Sequence, residues 1–299
     1  MINFVLILMK FLFKILLLIS RLPLQILYVF ADFVFFTSYY LVGYRKKVVT
    51  ENLTKAFPDK TNSEIKKIRK KFYKNFSDYI AETSKSFTIS EVESRVRMQH
   101  LNQDIFKDAK NEGKNVILLA GHVFNWEWFT ALTTITPQEN SHPVYRKVNN
   151  SFWEEKVKTI RNRFNNQAVE AKEVIRHILR NPNDGNSIYM FVADQTPHSS
   201  EVNFGINFLN QPTPAFIGYD KLSTRMDLIF VYCEMKKVKR GFYQVNYYRI
   251  FPDGEQFEEF EVVKKFHKLL ENTINKRPDN WLWSHRRWKY SNLIKHFEY

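Results

Sequence analysis

The chain has 299 residues with only 8 glycines and 10 prolines, enough for one large or two small domains with a substantial core, and too few turn-formers for a loop-rich or glycine-cradle fold. Its 45 Lys+Arg against 31 Asp+Glu give a formal charge of +14, a field that favours nucleic acid, anionic lipid headgroups, phosphorylated glycolipids or acidic carrier proteins. A single cysteine, Cys233, excludes a disulfide framework and a cysteine-rich zinc site.

Ile2 to Ile19 is almost wholly apolar, its charged residues being Lys10 and Lys14. As a helix of about 18 residues it reaches about 27 Å, near the hydrocarbon thickness of a bilayer, and it lacks the small-residue cleavage site of a removed signal peptide. The two lysines share one face, and each costs about 2.5–3.5 kcal/mol at a bilayer centre. The segment is therefore expected to lie in the interface or to snorkel its lysines outward. A second apolar stretch, Leu24 to Val42, carries Gln25 and Asp32 and is expected to pack on the following domain or in the interface rather than to span. Arg45-Lys46-Lys47 follows at once, and the positive-inside tendency puts it and the domain after it on the cytoplasmic side. Residues 1–43 thus read as a membrane anchor and 44–299 as the domain that carries the chemistry.

Ser63 to Glu82 reads as a helix, with Ile65, Ile68, Phe72, Phe76 and Ile80 at helical spacing opposite a lysine face of Lys66, Lys67, Lys70 and Lys71. Strand-like runs follow at Val116–Ala120, Ser187–Val192, Leu228–Tyr232 and Tyr243–Tyr248, and helical stretches at Phe152–Phe164, Ala168–Leu179 and Phe257–Ile274. Strands alternating with helices predict an α/β domain around a mixed, mostly parallel sheet. Cys233, in an apolar strand, reads as a small core residue rather than a catalytic thiol. The basic run Lys236 to Gly241 reads as a solvated hairpin tip, with docking of an acidic carrier as its functional alternative.

The chemistry concentrates at Ala120-Gly121-His122-Val123-Phe124-Asn125-Trp126-Glu127-Trp128. On one continuous helix, five residues turn roughly 500° and leave His122 and Glu127 roughly 140° apart. If His122 instead leaves a buried strand, and a helix starts near Asn125, the imidazole lies over that helix's first turn and Glu127 can hold it. That arrangement suits a general base: a histidine oriented by a carboxylate that stabilises the imidazolium. No Gly-x-Ser-x-Gly elbow, phosphate-binding glycine loop or His-Glu-x-x-His occurs. A base without a protein nucleophile suits direct attack by a substrate hydroxyl on an activated acyl group, with no metal needed and a cationic or amide group at the oxyanion.

These blocks resemble the bacterial lipid A late (lauroyl/myristoyl) acyltransferases, within the glycerolipid acyltransferases marked by His, four residues, then Asp or Glu. The resemblance rests on Ser20-Arg21-Leu22-Pro23, Gly43-Tyr44-Arg45, Asn52-Leu53 with Ala56-Phe57-Pro58, Gly121-His122 to Trp128, Tyr145-Arg146 with Asn149, Arg161 and Arg163-Phe164, Asp194-Gln195, and Trp281 to Trp288. Phe124 stands where many relatives carry glycine. The resemblance implies the same α/β fold, with helices flanking the sheet, and a membrane-bound enzyme at the cytoplasmic face of the inner membrane. The expected reaction moves a fatty acyl chain from acyl carrier protein or coenzyme A to a hydroxyl of a lipid A precursor, with the acyl donor as co-substrate and no further cofactor.

Within that reading His122 and Glu127 are the catalytic pair. Asn125, Arg146, Arg161, Arg163, Asp194 and Gln195 are candidate substrate-binding residues. Arginine grips phosphate through a planar fork; the resemblance to the family's Tyr-Arg and Arg-x-Arg-Phe blocks implies Arg146 and Arg163 near the site, and Arg161 is as easily surface charge. Asp194, after an apolar strand, is expected to position one of these guanidinia. Trp281 to Trp288 reads as packing, with headgroup or cation–π contact through Arg286 and Arg287 as the alternative. The same chemistry on another phosphoglycolipid or an amino-acid-linked lipid is the nearer competing reading. A membrane-associated nucleic-acid-binding protein is remote, because no such motif is present and His122 would go unexplained.

Overall fold

In chain order, the computed structural model, which describes residues 2–251 and 258–298, contains ten α-helices and ten β-strands among the described residues. They are α1 (Ile2–Ser20), α2 (Leu24–Phe36), α3 (Lys46–Ala56), α4 (Asn62–Lys85), α5 (Glu91–Arg97), β1 (Met98–His100), α6 (Asp104–Asn111), β2 (Val116–Ala120), β3 (Asn140–Tyr145) and α7 (Ser151–Arg161). There follow β4 (Val169–Glu170), α8 (Val174–Arg180), β5 (Ser187–Val192), β6 (Phe204–Phe208), β7 (Gln211–Pro214), α9 (Asp220–Ser223), β8 (Ile229–Lys239), β9 (Phe242–Arg249), α10 (Glu261–Lys276) and β10 (His296–Glu298).

The main sheet has seven strands in the order β1-β9-β8-β2-β5-β3-β4, parallel throughout except for the β8/β9 hairpin. Every residue of β2 is buried, as an unbroken apolar strand must be when helices cover both faces of a parallel sheet. The mixed, mostly parallel α/β fold is therefore as the sequence predicts. A second sheet, β10-β6-β7, is not visible in its pattern, because β6, β7 and β10 have five, four and three residues and short strands leave no usable alternation. The expected helix Ala168–Leu179 is also corrected. Val169 and Glu170 instead extend the sheet beside Val144 and Tyr145, and only Val174–Arg180 is helical. Phe257, the expected first residue of the last helix, lies outside the described residues, and α10 begins at Glu261.

α4 runs for 24 residues, started by a Thr61–Glu64 capping box that satisfies two of its free backbone donors. It packs Ile65, Phe72 and Tyr73 inward and leaves Lys66, Lys67, Lys70 and Lys71 in solvent. α2 lies against α4 through buried Leu24, Leu27 and Ala31, while Ile26, Val29, Phe30, Phe33 and Phe36 are exposed. The helical run Leu24–Leu41, in which Thr37–Leu41 is π-helical, is long and apolar enough to cross a membrane. α1 likewise exposes Ile7, Leu8, Phe11, Leu12 and Leu18 and touches the domain edge-on through Phe13 against Phe87, Phe152 and Trp153. Cys233 is buried in β8, and burial raises its thiol, as expected of a core residue.

The basic run at the β8/β9 turn is only partly a solvated tip. Lys237 and Arg240 both pair with buried Asp78 of α4, and Arg240 also pairs with Asp32 of α2 and lies 4.3 Å over the Tyr28 ring. Those carboxylates come from distant parts of the chain, so the run by itself gives no sign of them.

Candidate active site

β2 and β5 are parallel neighbours with Ala120 opposite Val192, so the residues two steps beyond each strand leave the same end of the sheet side by side. They are His122 and Asp194. Gly121 leaves room for α10, because a side chain there would press on the Leu270 methyl groups. The C-terminal ends of parallel strands are where open α/β sheets build their sites.

Asp194 is buried and its two oxygens divide the work. Oδ1 accepts from His122 Nδ1 at 2.5 Å, while Oδ2 accepts from the His122 backbone N–H at 3.0 Å and the Trp281 indole at 2.5 Å. Burial alone would raise this carboxyl. The pairing with His122 and the hydrogen bonds from its ring, its backbone N–H and the Trp281 indole outweigh it and hold Asp194 well below the usual carboxylate range. With the proton of His122 on Nδ1, Nε2 carries a lone pair, and it accepts from the Gln195 amide nitrogen at 2.9 Å. That tautomer, the one a carboxylate acceptor at Nδ1 favours, leaves Nε2 able to accept a proton. Its side chain keeps 13% exposure against 1% for Asp194.

The geometry corrects the expected partner of His122. Glu127 does not hold the imidazole. Its Oε1 accepts from the Trp126 indole at 3.1 Å and lies 3.6 Å from the Arg161 guanidinium, and the Trp126 ring packs edge-on against His122 at 4.7 Å. Glu127 therefore reaches His122 through Trp126. The reason is local: after His122 the chain is not a regular α-helix, and Trp126–Thr134 is a 3-10 helix capped by the Asn125 side chain, which accepts from the Glu127 N–H. Asp194, expected to position an arginine, occupies the place foreseen for Glu127.

Asn125 is fully buried, and its amide nitrogen donates to Glu82 Oε2 at 3.1 Å. Its role in this geometry is to shape the turn. Phe124 fills the space beside it, stacking among Phe72, Tyr79 and Trp126. Arg146 is exposed and donates to the Thr196 carbonyl, next to Gln195, so it does arrive at the site. Arg161, the doubtful arginine, also arrives, through Glu127 and over the Tyr145 ring. Arg163 does not. Its guanidinium donates to the carbonyls of Ser86 and Ile89 just beyond the end of α4, a C-terminal cap that uses a cation where unpaired carbonyls collect.

Three participants were missed by reading the sequence. Trp281, His285 and Arg287 belong to the closing aromatic block, which was read as packing. Leu282 N–H donates to the His122 carbonyl at 3.1 Å, Phe124 N–H to the Asn280 carbonyl at 3.0 Å, and the Thr196 N–H to His285 Nε2 at 3.3 Å. Arg287 is completely buried, and burial lowers its guanidinium to about 10 against the opposing pull of Asp194. The dense mixture of Trp, His and Arg in eight residues is the signal that was available.

Residues 5–290 match the family model described as bacterial lipid A biosynthesis acyltransferase. No individually curated protein matches the chain. A match over nearly the whole length places this chain in the bacterial lipid A biosynthesis acyltransferase family.

Proposed function

We propose that this acyltransferase moves a fatty acyl chain from acyl carrier protein or coenzyme A to a hydroxyl of a lipid A precursor, with His122 as general base and no acyl-enzyme intermediate. The observation that carries the proposal is the imidazole itself, fixed at Nδ1 by a buried carboxylate and presenting its Nε2 lone pair beside an amide. The acceptor hydroxyl displaces the Gln195 amide from Nε2 and gives its proton to His122. The oxygen then attacks the thioester carbonyl, and the freed Gln195 amide and the Arg146 guanidinium are the donors available to the oxyanion. As the C–S bond breaks, the imidazolium returns the proton to the departing thiolate. Asp194 stabilises the imidazolium without taking its proton, and Glu127 holds Trp126 and Arg161 around the ring.

The exposed apolar faces of α1 and α2 and the basic cluster after them support a place on the cytoplasmic face of the inner membrane, where acyl carrier protein and an anionic glycolipid meet. The test is transfer by the purified full chain, with acyl carrier protein and coenzyme A thioesters supplied separately to a lipid A precursor. Product mass identifies donor and acceptor together. Wild-type turnover by a folded His122→Ala enzyme would sink the mechanism, and transfer only to another phosphoglycolipid would replace the acceptor.

A further inference from the structure

A cavity of about 440 Å³ opens between α3, the start of β7 and the segment 286–289. Lys47, Lys55, Arg286 and Lys289 line it against one carboxylate, Glu51, which is 3.9 Å from Lys47. Among the described residues no ion pair engages Lys55 or Arg286, so the excess positive charge is uncompensated. Gln211, on the same wall and only 9% exposed, has an amide nitrogen with no acceptor, a buried donor of the kind that native structures almost always satisfy.

The walls are fixed in advance. Asn52 of α3 donates to the carbonyls of Trp283 and His285, Arg45 donates to that of Ser284, and the Trp288 indole is held by Thr213. These bonds pin α3 and β7 to the segment that carries Arg286 and Lys289. The same segment adjoins the base. The Thr196 hydroxyl donates to the Arg286 carbonyl at 3.4 Å, and Thr196 follows Gln195, whose amide is on His122.

We infer that this cavity is a binding site for a substrate phosphate group. Several cations, one of them a guanidinium, suit a phosphate anion, whose oxygens offer more acceptor positions than a carboxylate. In the acyl-transfer reading on which the choice of source rests, substrate phosphate comes from one of two sources: the acceptor glycolipid, or the phosphopantetheine end of the donor, remote from its thioester.

The experiment is a titration of the detergent-solubilised full chain with inorganic phosphate, followed by phosphorus NMR line broadening, for wild type, Lys55→Gln, Arg286→Gln and His122→Ala. Saturable binding is expected in wild type and His122→Ala, and weakening by at least about tenfold in the other two, as the loss of one charge-assisted hydrogen bond predicts. Thermal unfolding checks that each variant is folded, and Arg286→Lys provides a milder change if Arg286→Gln is not. Steady-state kinetics of the cavity variants then separates the sources: a raised acceptor KM assigns the glycolipid phosphate and a raised donor KM the pantetheine phosphate. Wild type without saturable phosphate binding, variants that bind as wild type does, or an unchanged KM for both substrates would overturn the inference. Because the titration needs no turnover, phosphate binding without acyl transfer would overturn the reading of the reaction and leave the site standing.

Discussion

Asp194 has two acceptor oxygens and three donors on them, one of which fixes the ring of His122. Asp194→Asn keeps the volume but puts an amide nitrogen against either the imidazole or the Trp281 indole. It should lower kcat on the order of 10²-fold or more while substrate KM values hold, because the ring loses its tautomer and orientation rather than its substrate contacts. His122→Ala should cost on the order of 10² to 10⁴ in rate. An Asp194→Asn enzyme with wild-type kcat would show that the carboxylate serves only folding. Arg163 makes the opposite prediction. Its guanidinium satisfies carbonyls after α4, so Arg163→Ala should lower stability by about 2 kcal/mol and leave acceptor and donor KM unchanged. Denaturant unfolding and steady-state kinetics together check it, and a raised acceptor KM in a stable variant would return Arg163 to the substrate.

Glu82 of α4 joins three elements at one buried carboxyl. Tyr28 of α2 donates to Oε1 at 2.8 Å, while Tyr243 of β9 at 2.7 Å and Asn125 of the active-site turn at 3.1 Å donate to Oε2. Burial raises this carboxyl, opposed by the Lys237 charge and the two tyrosine hydrogen bonds. α2 therefore packs as part of the domain, and the expected division at residue 43 would cut through this contact. Deleting residues 1–22 should leave the fold intact. Deleting 1–43 also removes Tyr28, Asp32 and the buried Leu24, Leu27 and Ala31, and should give a markedly less stable, aggregating protein. A cooperative thermal transition near that of the full chain in the longer deletion would contradict this. Membrane attachment is better tested on the exposed face. Phe30→Glu with Phe33→Glu, both outside the α2–α4 contact, should shift the protein toward the soluble fraction in high salt without altering its unfolding.

Across the whole molecule, histidines withdrawn from water make stability depend on acid, among them buried His267 and half-buried His100 and His285. Burial lowers His100 and His285 to about 4 and His267 to about 3, with nearby arginines adding to the effect. The unfolded chain takes up these protons near pH 6.5 and the folded chain does not, so stability is full above about 6.5 and falls as pH drops toward 4. Melting temperature followed from pH 7.5 to 4.5 should decline through that window, and a flat profile would mean these rings are protonated in place. None of this is readable from the eight histidines as letters. The sequence by itself determined the α/β class, because an apolar strand such as Val116–Ala120 and helices such as Asn62–Lys85 carry their periods and caps locally. It also marked His122 as the candidate base, since that residue follows a buried strand at a glycine turn, and determined the apolar character of the first forty residues. Tertiary structure alone decided which carboxylate meets the imidazole. Asp194 lies 72 residues from His122, and only the parallel register of β2 and β5 brings the two strand ends together, whereas the nearby Glu127 is turned away by a 3-10 helix. The arginines were sorted in the same way: fork geometry is common to all of them, and what separates Arg161, Arg163 and Arg287 is the oxygen or void that folding places in front of each.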